Sequence, residues 1–137
     1  MFRHQDLLRV SNFRFSLTLL SLLFGFQKPP SSMPTQTIDG VSIHTQANVF
    51  FDGKCVSHAI TTANGTKLSV GVILPATLTF NTGAPEVMEC VAGSCEYKLD
   101  GSQDWVSSKP GEKFSVPGNS KFEIRVTAPY HYICHFG

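Results

Sequence analysis

The chain has 137 residues, with 11 Lys and Arg against 10 Asp and Glu and 11 Phe. That length gives room for one domain, and composition marks no seam for a second. Charged residues make up 15% of the chain, below the ~25% usual in globular proteins. From Met33 onward seven basic residues face nine acidic ones, with no run of Lys or Arg; this argues against nucleic acid and anionic membranes as partners, since both demand a basic patch.

The first 32 residues hold Arg3, Arg9, Arg14 and Lys28 against Asp6 alone. Phe13–Phe26 is the one strongly apolar run, too short for a bilayer span of roughly 20 residues. Behind its basic residues it resembles a signal-peptide h-region. Arg14 interrupts the run, however, and Gln27-Lys28-Pro29-Pro30 lacks a small-x-small cleavage pattern. Three readings stand: a secretory signal, an amphipathic or organellar leader, and a segment ahead of a true start at Met33. The polar lead-in MPTQTIDGVSIHTQANV favours the third. Residues 1–46 are therefore expected to be an extension outside the fold, with Asp39-Gly40 as a turn and Val41–Ile43 as a short edge strand.

From Ala47 the pattern becomes short β-prone runs between turn signals. Val49–Phe51 ends at Asp52-Gly53, and Cys55–Thr61 is followed by Asn64-Gly65, both hairpin-type turns. Leu68–Ile73 stops before Pro75, and Thr77–Phe80 precedes the loop Asn81-Thr82-Gly83-Ala84-Pro85. Val87–Val91 and Cys95–Leu99 flank Gly93, and Asp100-Gly101 closes the next turn. Trp105-Val106, Lys113–Val116, Phe122–Val126 and Tyr130–Phe136 complete the series. About nine strands at this spacing, with no credible helix, predict an all-β single domain over 47–137, as a sandwich or closed barrel.

Alternation puts Phe122, Ile124 and Val126 on one face, opposite Glu123 and Arg125. It likewise groups Tyr130, Tyr132, Cys134 and Phe136 as interior residues, and sets Glu86, Met88 and Cys90 on one face. Cys55, Cys90, Cys95 and Cys134 lack the spacing of a disulfide framework or metal knuckle and read as reduced, half-buried thiols. Reduced thiols fit a cytoplasmic protein; Phe13–Phe26 acting as a signal would make it an exported one.

Two segments resemble the paired cupin motifs. Gly111-Glu112-Lys113-Phe114-Ser115-Val116-Pro117-Gly118 resembles the second, and Glu86 followed by six residues and Gly93 resembles the end of the first. Metal cupins carry two His upstream of that Glu and another after the Pro. Here those positions hold Thr79-Phe80-Asn81-Thr82 and Phe122. A lone Glu cannot hold a transition metal, which wants three or four ligands, so no metal is expected.

Beyond these motifs, VFFDGK (49–54), LSVGVILP (68–75), TFNTGAPEVMECVAG (79–93), FSVPGNSKFEI (114–124) and YHYIC (130–134) together resemble the cupin-type pyrimidine/purine nucleoside phosphorylases. The resemblance implies a cupin-type jelly-roll barrel and a homodimer. It also implies broad-specificity phosphorolysis of nucleosides to free base and (deoxy)ribose 1-phosphate, with inorganic phosphate as co-substrate and no cofactor.

That chemistry passes through an oxocarbenium-like ribose and can run on positioning and electrostatics. Glu86 is the expected catalytic residue, because a carboxylate among apolar neighbours needs a reason to be there. Phe80, Phe122 and Tyr132 could sandwich a base, and Ser69 could bind substrate. Asn81, Thr82 and Ser120 could bind phosphate, with a backbone nest near Gly83 or Gly118. Lys54, Lys67, Lys121 or Arg125 would supply any cation, although Lys121, Glu123 and Arg125 also read as a solvated face. Cys134 reads as packing rather than as a nucleophile. The rival class is a non-catalytic, metal-free cupin that binds a small ligand.

Overall fold

Strict alternation over short runs is the signature of strands with one face buried, and it organises the computed structural model, which describes residues 35–137. Expectations about Phe13–Phe26 and Met33 fall outside these residues. The strands are β1 (Val41–Ile43), β2 (Asn48–Phe50), β3 (Cys55–Thr62), β4 (Lys67–Ile73), β5 (Ala76–Asn81) and β6 (Glu86–Ala92). They continue as β7 (Cys95–Leu99), β8 (Val106–Ser108), β9 (Lys113–Val116), β10 (Lys121–Val126) and β11 (Tyr130–Phe136).

Two antiparallel sheets result. A seven-stranded sheet runs β1-β3-β4-β11-β6-β9, with β2 also pairing with β3, and a four-stranded sheet runs β5-β10-β7-β8. Their inner faces enclose one core that includes Ile73, Met88 and Tyr130 from the first sheet and Leu78, Phe122 and Ile124 from the second. This is the cupin-type jelly roll, built as two facing sheets. Tyr97 stacks on Phe114 across the core, with ring centroids 3.8 Å apart.

Three features differ from the sequence-based expectation. β1 is the short edge strand expected at Val41–Ile43, but it pairs with β3 from Val41↔Thr62 to Ile43↔Ile60, so the sheet takes in residues before Ala47. Strand β2 ends at Phe50, since Phe51 and Asp52 adopt left-handed φ values of 52° and 53° and start a 3₁₀ turn. In β11 the interior set is not the whole alternating series. Phe136 is 42% exposed, while Ile133 is buried on the outer face with Ile60 and Leu68. That outer face buries Ile133 between His131, which is exposed, and His135, which is half-buried.

The β6–β11 pairing shifts by one residue between His131 and Tyr132, leaving Val91 as the extra residue. Such a bulge fixes register, and in a sheet register decides which face each side chain occupies. Gly93, the turn glycine of the first motif, has φ +77°, and a Cβ there would stand 2.3 Å from the Pro129 carbonyl oxygen. Only glycine can close the β6–β7 hairpin this tightly.

Candidate active site

Between the sheets lies a cavity of about 250 Å³. Glu86 and Met88 come from β6, Ser69 from β4, Tyr132, Cys134 and Phe136 from β11, and Phe80, Asn81 and Phe122 from the other sheet. The structure thus brings together Glu86, Phe80, Phe122, Tyr132, Ser69 and Asn81. Alternation along β6 and β11 is the reason, because Glu86, Met88, Tyr132 and Cys134 all occupy inward positions.

Among the described residues Glu86 is the one charged side chain lining this cavity, with no Lys or Arg beside it. Burial raises its pKa above 4.5, and the neighbouring Cys134 thiol works in the opposite direction. The Cys134 thiol is pushed up to about 12, first by burial and then by the Glu86 charge, against a lowering effect of the nearby Ser69 hydroxyl. It therefore stays an S–H donor and is no nucleophile near neutrality. All four cysteines are free and fully buried, rather than the half-buried thiols expected.

Phe80 and Phe122 are direct cross-strand partners and stack with centroids 5.4 Å apart and planes 16° apart. That is ordinary ring-pair contact and leaves no slot between them. The two rings form a single wall, so the expected sandwich with a base between these two does not exist. Phe51 packs edge-on against Phe80 at 5.0 Å. Tyr132 lies across Gly71, its cross-strand partner, and its hydroxyl meets the Cys55 sulfur at 3.5 Å. A Cβ on Gly71 would stand 2.7 Å from that hydroxyl. Burial, above all, raises the Tyr132 pKa.

Thr82 and Ser120 stand outside the cavity. The Thr82 hydroxyl donates to the Pro117 carbonyl at 2.6 Å and accepts from the Ser120 N–H at 3.1 Å. The Asn119 N–H donates to the Gly83 carbonyl at 3.0 Å. The Thr82 hydroxyl and the Ser120 and Asn119 N–H groups thus clasp two loops together.

Two of the expected cations are engaged elsewhere, and Lys54 and Lys67 are exposed. Arg125 makes a two-pronged bond to Glu96, at 2.8 and 3.1 Å. Lys121 faces Asp100 at 3.7 Å, and Lys98 faces Glu123 at 2.6 Å. Arg125 and Lys98 also sit over the Trp105 ring. On the outer face of β6, Glu89 accepts hydrogen bonds from His135 at 2.7 Å and Gln36 at 3.2 Å, and pairs with Lys113 at 3.1 Å. Burial pushes its pKa up, but these partners outweigh it and hold the carboxyl below its usual value. Among the described residues no three His, Cys, Asp or Glu side chains gather as a metal-ligand set, and no helix is long and apolar enough to cross a membrane.

Sequence reasoning missed Asn48, Phe50, Ser57 and Ala59, which line the same cavity from β2 and β3. Their signal was the inward parity of Cys55, Ser57 and Ala59, readable only once β3 is known to pair with β4.

The chain is similar over residues 45–136 to the family model described as pyrimidine/purine nucleoside phosphorylase. The protein of that name from Albidiferax ferrireducens is 75% identical over 105 residues, covering 77% of this chain and 100% of that protein. The one from Paracidovorax citrulli is 76% identical with the same coverage. A crystal structure of a protein of unknown function from Acinetobacter sp. ADP1 is 40% identical with a TM-score of 0.72, over 74% of this chain and 98% of that one. Ectoine synthase from P. lautus, at 20% identity and a TM-score of 0.53, shares the fold over 61% of this chain and 64% of its own.

Proposed function

The chain belongs to the pyrimidine/purine nucleoside phosphorylase family, and from that premise we propose that the Glu86 cavity is its phosphorolytic site. It transfers the pentosyl group of purine and pyrimidine nucleosides to inorganic phosphate, giving free base and (deoxy)ribose 1-phosphate without a metal. The observation that carries this reading is the uncompensated Glu86 carboxylate, set among neutral donors and aromatic rings.

In phosphorolysis a phosphate oxygen bonds to C1′ as the C1′–N bond breaks; the electron pair of that bond leaves with the base nitrogen, which ends with the proton that the phosphate gives up. The sugar becomes cationic between the two events. An ionised Glu86 on one side and the phosphate on the other would hold that cation between two anions. The charge that develops is thus matched without a protein cation, and such matching is worth most in a site that excludes water. Ser69 and Asn81 supply neutral donors to sugar and phosphate. The Phe80 wall and Tyr132 offer ring contacts that any base can use, which supports broad specificity. The active form is proposed as a cytoplasmic homodimer.

One observation favours the rival reading of a binding barrel: among the described residues no Lys or Arg lines the cavity to attract phosphate. The test incubates the full chain, treated with chelator, with uridine and separately with adenosine, with and without phosphate. Free base that requires phosphate and survives the chelator supports the proposal. Release without phosphate indicates a hydrolase, and loss on chelation indicates a metal enzyme. No release from either nucleoside leaves the binding barrel.

A further inference from the structure

Three inward side chains on adjacent strands of the seven-stranded sheet stand in one row. Ser69 on β4 is the direct cross-strand partner of Cys134 on β11. On its other side Cys134 is opposite Met88, which places Glu86, two residues along β6, at the diagonal position on the same face. Diagonal neighbours of this kind lie within side-chain reach. All three line the cavity, and Cys134 is only 4% exposed. The Val91 bulge creates this row, because it sets the β6 register against Tyr132–Phe136.

A half-buried carboxylate with no cation beside it among the described residues must be met by neutral donors, or its desolvation goes unanswered. A thiol is a weak but genuine donor. We propose that Cys134 is the positioning residue for Glu86: the Ser69 hydroxyl donates to the Cys134 sulfur, whose S–H donates to the Glu86 carboxylate and aims it at the sugar. No proton transfer to the thiol is involved, and the row remains neutral apart from Glu86. The high thiol pKa fits this role, since the sulfur keeps its proton throughout the working range. The inference rests on the proposal that Glu86 serves phosphorolysis, yet the row makes a claim that can be read without turnover.

The test follows the Glu86 side-chain carboxyl by ¹³C NMR as pH is varied, with its signal assigned by its absence in Glu86→Gln. The proteins are wild type, Cys134→Ala and Cys134→Ser, and kcat and KM for uridine phosphorolysis are measured across the same pH range. Removing the donor disfavours the charged carboxylate, so Cys134→Ala should titrate at higher pH than wild type, and Cys134→Ser should return toward it. In turnover Cys134→Ala should lose about tenfold in kcat, the scale of one hydrogen bond to a charged group, with its acid limb moved upward and KM little changed. Should the alanine variant fail to fold, Cys134→Val fills the space without a donor and takes its place. Superimposable titrations of wild type and Cys134→Ala would overturn the proposal, as would a serine variant as displaced as the alanine one. If Glu86→Gln instead retained full kcat, the catalytic reading of Glu86 would fail, while the titrations would still decide whether Cys134 holds it.

Discussion

Glu86 and Glu89 stand three residues apart on β6 and face opposite sides of the same sheet. Glu89, on the outer face, has His135, Lys113 and Gln36 around its carboxylate and ionises more readily than usual. Glu86, on the inner face, has no cation beside it among the described residues and ionises less readily, chiefly because it is partly withdrawn from water. Strand periodicity alone makes this division, since an odd separation reverses the face. The outer carboxylate is satisfied by its own protein, whereas the inner one retains an unmatched charge that a cationic transition state can use. Burial that raises the cost of a charge is thus the feature to look for in a site, and a full set of partners marks a structural role.

The contrast can be broken first at Gly71. Gly71→Ala puts a methyl group 2.7 Å from both the Tyr132 hydroxyl and the Val56 carbonyl oxygen. Overpacking of this kind should cost about 1–3 kcal/mol, read by urea denaturation, and should lower turnover by displacing the cavity wall. A fully stable and fully active variant would show that Tyr132 is not held where the inner face needs it.

Glu89→Gln sharpens the outer half. Because the folded-state pKa of Glu89 is lowered, its contribution is present above the unfolded value near 4.5 and is lost as pH falls through the folded value. The variant should be less stable at neutral pH by about 1 kcal/mol, in the range of partly exposed pairs. That gap should close in acid, as melting curves at several pH values would show. A gap that widens in acid would reverse the assigned sign.

Arg125→Gln should have the smallest effect. Its pair with Glu96 is solvent-exposed, where such contacts contribute little and salt screens them. Activity should match wild type, and any stability difference should shrink in high salt. A large loss of turnover would mean that the outer face of the four-stranded sheet takes part in the reaction.

Local signals carried much of the fold. Turn residues and alternation place β9 and β11 at their observed ends, and the same alternation sets Glu86, Met88 and Cys90 inward. What sequence could not supply was pairing. Phe80 stacks on Phe122 because β5 and β10 are neighbours in one register, so no base fits between those two rings. Thr82 looked free for phosphate until the Pro117 carbonyl, 35 residues away, claimed its hydroxyl. Asn48 and Ser57 reach the cavity through the β2–β3 and β3–β4 pairings, and Phe51 breaks its strand by adopting a left-handed backbone. Each of these outcomes depends on contacts between distant parts of the chain.

The most direct test sets Glu86→Gln beside Glu89→Gln in phosphate-dependent cleavage of uridine, with melting temperatures measured on the same samples. A folded-state pKa above the unfolded one means that ionised Glu86 weighs against folding at neutral pH. The inner variant should therefore be as stable as wild type or more so, yet lose about 100-fold or more in kcat/KM. The outer variant should be slightly less stable and keep wild-type turnover. Equal turnover in the two variants, or a greater loss from the outer one, would contradict the assignment of catalysis to the inner carboxylate.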